Sequence, residues 1–180
     1  TVLVCPNSID EERLRQLSLV ANYTGSSVVI TDAKRCITWV NHSFSVLTGY
    51  ELSEVKGRVP GDFLQGALTD PRTVDEIRCS LLAQKPFTAE LINYKKTGEP
   101  YWVEIKVTPF FSKNGKLKHY IGLSTDITKR KEAEMALKKS EELYRSILTI
   151  AQEAIVFVDK EGVTTYANPH YSKLIGLPLE

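Results

Sequence analysis

The sequence predicts an α+β domain, with short helices covering one face of an antiparallel sheet. Two β-branched runs, SSVVITD and CITWV, stand at the front, and three longer alternating runs, FTAELINY, YWVEIKVTPF and KLKHYIGLSTDIT, stand behind. Between these two groups the apolar period changes from two to that of a helix. The chain has 180 residues, 42% of them hydrophobic and 25% charged, which suits one compact domain plus additional material.

Taken in order, IDEERLRQLSLVANY carries Leu14, Leu17 and Val20 at helical spacing and predicts a short amphipathic helix. AKR joins the first two strands as a hairpin. Asn41 is placed to cap a short helix bearing Phe44 and Leu47, with Gly49 ending it. ELSEVKG is another helical turn. In DPRTVDEIRCSLLAQ, Asp70 caps, Pro71 takes the first helical position, and Val74, Ile77, Leu81 and Leu82 are expected on one face. KKTGEP turns the chain between the next two strands, and Asn114-Gly115 signals the last hairpin.

A net charge of +1, with basic and acidic residues interleaved, leaves no footprint for nucleic acid. No apolar run approaches the roughly 20 residues of a membrane span, and no leader is recognisable, so a cytoplasmic segment is expected. Cys5, Cys36 and Cys79 form no CxxC and read as reduced thiols, Cys79 as a small buried apolar residue. There is no Ser/His/Asp set, metal-spaced cluster or phosphate loop, so the expectation is that this stretch is not an enzyme.

From Lys129 the chain becomes highly charged, with Ala133, Ala136, Leu143, Ile147 and Ile150 at three- and four-residue spacing and Ser140 in the remaining seam position. That stripe predicts a helical linker able to pair with a second copy. Beyond it the sequence starts again. VVITDAKRCITWVNHSFSVLTGY lies on IVFVDKEGVTTYANPHYSKLIGL without a gap, at a constant separation of 127 residues, as from Asn41 to Asn168. The expected organisation is a flanking segment over 1–16, a first domain over 17–128, a linker over 129–151 and the start of a second domain over 152–180.

ITWVNHSFSVLTGYELSEVKG, followed by LINYKKTGEPYWVEIKVTPFFSKNGKLKHYIGLSTDITKRKEAE, resembles the PAS family with its C-terminal PAC segment. The resemblance implies a five-stranded antiparallel sheet, short helices over one face, a pocket between them, a flanking N-terminal helix and a C-terminal linker helix. It also implies a sensory role, often in tandem, wired to a histidine kinase or cyclic-dinucleotide enzyme. Within the family, GRVPGDFLQG and NYKKTGEPYW are most similar to the flavin-binding LOV branch. Where that branch carries Asn-Cys-Arg before Phe-Leu-Gln, this chain has Pro60, Gly61 and Asp62. A glycine offers no thiol, and an acid repels a flavin phosphate, so adduct photochemistry is not expected.

Strand parity supplies the rest of the candidate pocket. Phe87, Ala89, Leu91 and Asn93 share a face, as do Val103, Ile105 and Val107, and Tyr120, Gly122 and Ser124. The resemblance puts polar ligand contacts at Gln65, Asn93, Val103 and Ser124, of which the first two keep their amides. The expected lining is therefore Gln65, Asn93, Phe63, Leu91, Val103, Ile105, Tyr120 and Ser124. Flavin, as FAD or FMN, is the first expectation for a cofactor, held by Gln65 and Asn93. Haem is disfavoured, since the long helix has no histidine and His42, His119 and His170 read as structural or surface residues. Trp102, Glu90 and Glu104 belong to the outer face by parity. Ile121 and Leu123 share that face, where the N-terminal helix or a second copy is expected to cover them. Two readings stay open: a module that senses a small molecule, redox state or partner and signals through the linker, and a flavin-based redox or energy sensor.

Overall fold

The computed structural model describes residues 26–150 and 153–176. The helix expected around Leu14, Leu17 and Val20 lies outside the described residues, as does Cys5. The chain divides into two units with a boundary between Lys129 and Arg130.

The described part of the first unit opens on an antiparallel hairpin of β1 (Ser27–Asp32) and β2 (Ile37–Val40). Asp32 shapes its turn, Oδ1 accepting from the backbone N–H of Lys34 at 2.8 Å and Cys36 at 2.9 Å. Asn41 then caps α1 (His42–Thr48). Its Oδ1 accepts from Phe44 N–H at 3.0 Å and Val28 N–H at 2.9 Å, so one buried side chain ties the helix start to β1. Helix α2 (Leu52–Val55) opens on a Glu51–Glu54 capping box, and α3 (Gly61–Leu64) is a single turn. Helix α4 (Pro71–Leu82) starts from Asp70, whose side chain accepts from Arg72 N–H.

Strands β3 (Phe87–Tyr94), β4 (Pro100–Phe111) and β5 (Leu117–Asp126) form a meander, and β5 pairs with β1. The result is a five-stranded antiparallel sheet in the order β2-β1-β5-β4-β3. β1 is an internal strand buried on both faces over Ser27–Thr31, which is why SVVIT shows no clean alternation.

Two expectations for α4 need correction. Val74, Ile77 and Leu81 face the sheet side, but Leu82 is 79% exposed and Cys79 is exposed as well. At about 100° per residue, Leu82 turns away from Leu81, and Cys79 lies roughly 200° from Ile77. Cys79 is therefore not a core residue.

The apolar interior falls into two clusters. Val29, Ile37, Val40, Phe44, Val55 and Leu64 pack under the short helices. Ile77, Leu91, Tyr101 and Val103 pack between α4 and the β3–β4 pair.

Helix α5 (Thr128–Ile150) follows β5 after the single residue Ile127. In the second unit β6 (Val156–Val158) and β7 (Thr164–Ala167) form a two-stranded antiparallel sheet, followed by α6 (Pro169–Ile175). The sequence repeat is a repeat of hydrogen bonds. Asn168 Oδ1 accepts from Tyr171 and Ile155 N–H, as Asn41 does from Phe44 and Val28. Asp159 turns its hairpin through Glu161 and Val163 as Asp32 does through Lys34 and Cys36. Gly176 closes α6 at φ +72°, as Gly49 closes α1 at +78°.

Candidate ligand-binding site

The two core clusters of the first unit do not merge. A cavity of about 400 Å³ separates them, with Val29, Phe44 and Leu64 on one side and Ile77, Leu91 and Tyr101 on the other. That volume lies within the ordinary range for small-ligand sites. Its walls come from inward positions of β1 (Ser27, Val29, Thr31), β3 (Phe87, Leu91, Asn93), β4 (Tyr101, Ile105, Val107) and β5 (Tyr120, Gly122, Ser124), closed by residues of α1, α3 and α4.

Of the residues expected from sequence, Gln65, Asn93, Leu91, Ile105, Tyr120 and Ser124 line this cavity together. Phe63 and Val103 do not. Phe63 turns toward Tyr50, ring edge to face at 4.9 Å, and lies under the Arg58 guanidinium at 4.6 Å. In a one-turn helix its neighbour Leu64 takes the inward place. Val103 has the correct parity but is fully buried in the Ile77–Leu91–Tyr101 cluster, packed instead of facing open space.

Ser27, Tyr101, Arg35 and Arg78 also line the cavity without having been singled out. Tyr101 shares parity with Val103, which was the available signal. Ser27 was hidden by the unbroken apolar run of β1. Arg78 sits between Val74 and Leu81 at helical spacing, at the edge of the inward face of α4, and pairs with Asp75 at 3.1 Å. Asp62 is the acidic residue of the lining.

Two buried polar atoms on the wall have no hydrogen-bond partner: Asn93 Oδ1 and Ser27 Oγ. Asn93 is 7% exposed and Ser27 1%, so water does not satisfy them from outside. An orphaned buried acceptor costs roughly 1–3 kcal/mol. Asn93 and Tyr101 face each other across the β3–β4 ladder. Burial pushes the Tyr101 phenol up to about 12, the neighbouring Asn93 amide opposing and the Asp126 charge reinforcing the shift. The phenol is thus a neutral hydrogen-bonding group throughout the physiological range.

These residues fit the edge of a planar heterocycle such as a flavin. Asn93 and Gln65 bring carboxamides and Ser27 and Ser124 hydroxyls to a lining that is otherwise mostly apolar or aromatic, with Arg35, Asp62 and Arg78 among it. Gly61 also lines the cavity, and a Cβ there would meet the end of the Gln65 side chain at 3.2 Å. Cys36 and Cys79 are absent from the wall, as are His42, His119 and His170. His119 instead stacks on Phe110 at 5.2 Å, where burial and then Lys118 hold it below its ordinary pKa. Among the described residues, no three His, Cys, Asp or Glu side chains gather as for a metal ion, and no helix is long and apolar enough to cross a membrane.

The start of α5 is tied to β4. Trp102, next to Tyr101, accepts from Ile127 N–H at 2.9 Å, and its own N–H donates to Thr128 Oγ1 at 3.0 Å. Asp126 Oδ1 accepts from Thr128 N–H at 2.8 Å. The first residues of α5 are therefore bonded to the strand that carries the cavity phenol.

A PAS domain family model matches residues 25–129, and a second PAS domain model matches residues 142–180. A blue-light-activated histidine kinase of Brucella abortus (strain 2308) is 42% identical over 92 residues, which cover 51% of this chain and 19% of that protein. The chain therefore spans about a fifth of the length of the curated relatives it matches. A structure from work on a flavin analogue and light-oxygen-voltage domain mechanism aligns with a TM-score of 0.60 at 31% identity, over 71% of this chain and 95% of that one. The LOV domain of the Erythrobacter litoralis EL346 blue-light-activated histidine kinase aligns with a TM-score of 0.54 at 28% identity, over 57% of this chain and 95% of that one.

Proposed function

The chain belongs to the PAS family, and we propose that it is a sensory input module whose cavity takes a planar heterocycle and whose α5 carries the consequence to an output domain. A cavity that splits the core and holds two unpartnered buried polar atoms carries this reading. A cavity with no function costs stability in proportion to its volume, and orphaned polar groups add to that cost.

Flavin, as FAD or FMN, is the heterocycle we favour, in keeping with the LOV-domain neighbours. When bound it would supply blue-light absorption and redox chemistry. The protein's share is recognition: Asn93 and Gln65 meet the polar edge of the ring system, while Phe44, Leu64, Leu91 and Ile105 exclude water from its faces. Arg35 and Arg78 offer positive charge to a phosphate, and Asp62 opposes it. With glycine at position 61 and no cysteine among the lining residues, the sensor we propose works without thiol chemistry. The output domain we favour is a histidine kinase, as in the curated relatives.

An absorbance scan from the near ultraviolet to the green tests this on protein incubated with FMN or riboflavin and freed of excess. A structured blue band that stays with the protein is expected. Protein that leaves the column colourless after both incubations contradicts the flavin reading.

A further inference from the structure

Basic and acidic residues are interleaved along the sequence, but folding sorts them. Residues 33–50, 77–89 and 105–125 contain no Asp or Glu, and the strand register brings their turns to one end of the five-stranded sheet. Asp32 lies opposite His119, Phe111 opposite Leu117 and Phe87 opposite Val107. The β1–β2 turn, the α4–β3 connection and the β4–β5 hairpin therefore emerge at the same end. The Tyr120 hydroxyl donates to Leu81 O at 2.9 Å and draws the last turn of α4 there as well. Lys34, Lys85, Lys113, Lys116 and Lys118 are exposed on this end, and among the described residues none of them is ion-paired. Asp32, the acid of the β1–β2 turn, has its Oδ1 engaged by the N–H groups of Lys34 and Cys36. The fold itself does not demand a basic end. In the second unit the matching turn sets Lys160 beside Glu161 at 3.5 Å.

Aromatic rings stand among these cations. Phe110 and Phe111, at the root of the β4–β5 hairpin, are 43% and 47% exposed. Phe110 stacks on His119 with centroids 5.2 Å apart and planes 21° from parallel, which makes a flat platform on the outer face. We propose that this end of the sheet is a docking surface for single-stranded nucleic acid, the lysines taking phosphates while Phe110 and Phe111 receive bases. An anionic bilayer fits the charge but not the shape. The polar Asn114-Gly115 tip stands roughly 10 Å beyond Phe110 at the rise of a strand, so it would meet the membrane before the rings could insert. This surface is separate from the cavity, and the proposal holds whether or not the cavity takes a flavin.

The test follows fluorescence anisotropy of labelled oligo-U and oligo-dT, each roughly 12 nucleotides long, titrated with the whole chain. Micromolar binding is expected at about 50 mM salt, with log K falling against log salt at a slope of roughly −3, as about four phosphate contacts give. Phe110→Ala should weaken binding at least about fivefold and leave the slope unchanged, since it removes a stacking face and no charge. The double variant Lys113→Gln, Lys116→Gln should lower the slope by about 1.4 and leave the melting temperature near native, because both side chains are exposed. Absence of binding to both oligomers at low salt overturns the proposal. So does native affinity in either variant, or equal binding of a duplex of the same length. Sedimentation with phosphatidylglycerol vesicles, in protein that binds neither oligomer, would overturn it in favour of a bilayer. Binding of one oligomer in preference to the other supports the proposal and identifies the sugar it reads.

Discussion

At Gly66 the backbone passes so close to Tyr94 that a Cβ would lie 2.5 Å from the ring. The Tyr94 hydroxyl meanwhile accepts from Leu68 N–H at 2.8 Å, so the ring cannot easily withdraw. Gly66→Ala should therefore lose roughly 1–3 kcal/mol, read as a lower denaturant midpoint at unchanged slope. Tyr101 makes a second prediction at this scale. Its folded pKa, about 12, lies above the ordinary 10, and the neutral form is the one the fold favours. Its contribution to stability is complete below pH 10 and is lost as the pH rises toward about 12, by roughly 2–3 kcal/mol. A spectrophotometric titration should show one late-ionising phenol, which disappears in Tyr101→Phe.

Much of the site was legible residue by residue, because a strand's period of two assigns faces without further information. Asn93, Leu91, Ile105, Tyr120 and Ser124 were placed that way. Parity cannot tell a residue that faces open space from one that packs against a helix, which is why Val103 was misplaced. Nor does a one-turn helix have a measurable phase, which is why Phe63 was chosen over Leu64. Burial on both faces of β1 concealed Ser27.

Elements were the most readable level, since their ends are written in side chains with fixed tasks. Asn41 and Asn168 each join a strand start to a helix start through one carboxamide. Asn41→Ala removes the side-chain acceptor shared by the N–H groups of Val28 and Phe44, leaving Phe44 only the residue-41 carbonyl at 3.2 Å, and should cost about 1–3 kcal/mol in thermal or denaturant unfolding. The junction between sheet and linker is held by Trp102, Asp126 and Thr128. In Thr128→Val the Trp102 N–H loses its side-chain partner. Faster hydrogen exchange confined to residues 102 and 127–131 is expected, with ligand affinity within about threefold of native because the cavity wall is untouched. Exchange unchanged at both ends would show that this bond does not hold the junction.

Over the whole molecule, the same sequence program is read twice, and α5 lies between the two readings. Leu143, Ile147 and Ile150 on this helix are exposed, with Tyr144 beside them, and in the second unit Phe157, Val163 and Leu174 are exposed as well. We expect a second copy to bury the linker stripe, so scattering mass should rise with concentration toward two chains. Ile147→Glu should shift that rise to higher concentration, and a single-chain mass at every concentration would refute the dimer.

The central claim is that occupancy of the cavity reaches α5. Hydrogen exchange with and without saturating riboflavin, whose binding is verified by its own fluorescence, measures this directly. Slower exchange is predicted along β3 and β4 around Asn93 and Tyr101, together with a change in either direction over residues 127–135. Protection at Asn93 and Tyr101 with no change anywhere along α5 would contradict the claim, leaving a binding protein without a relay.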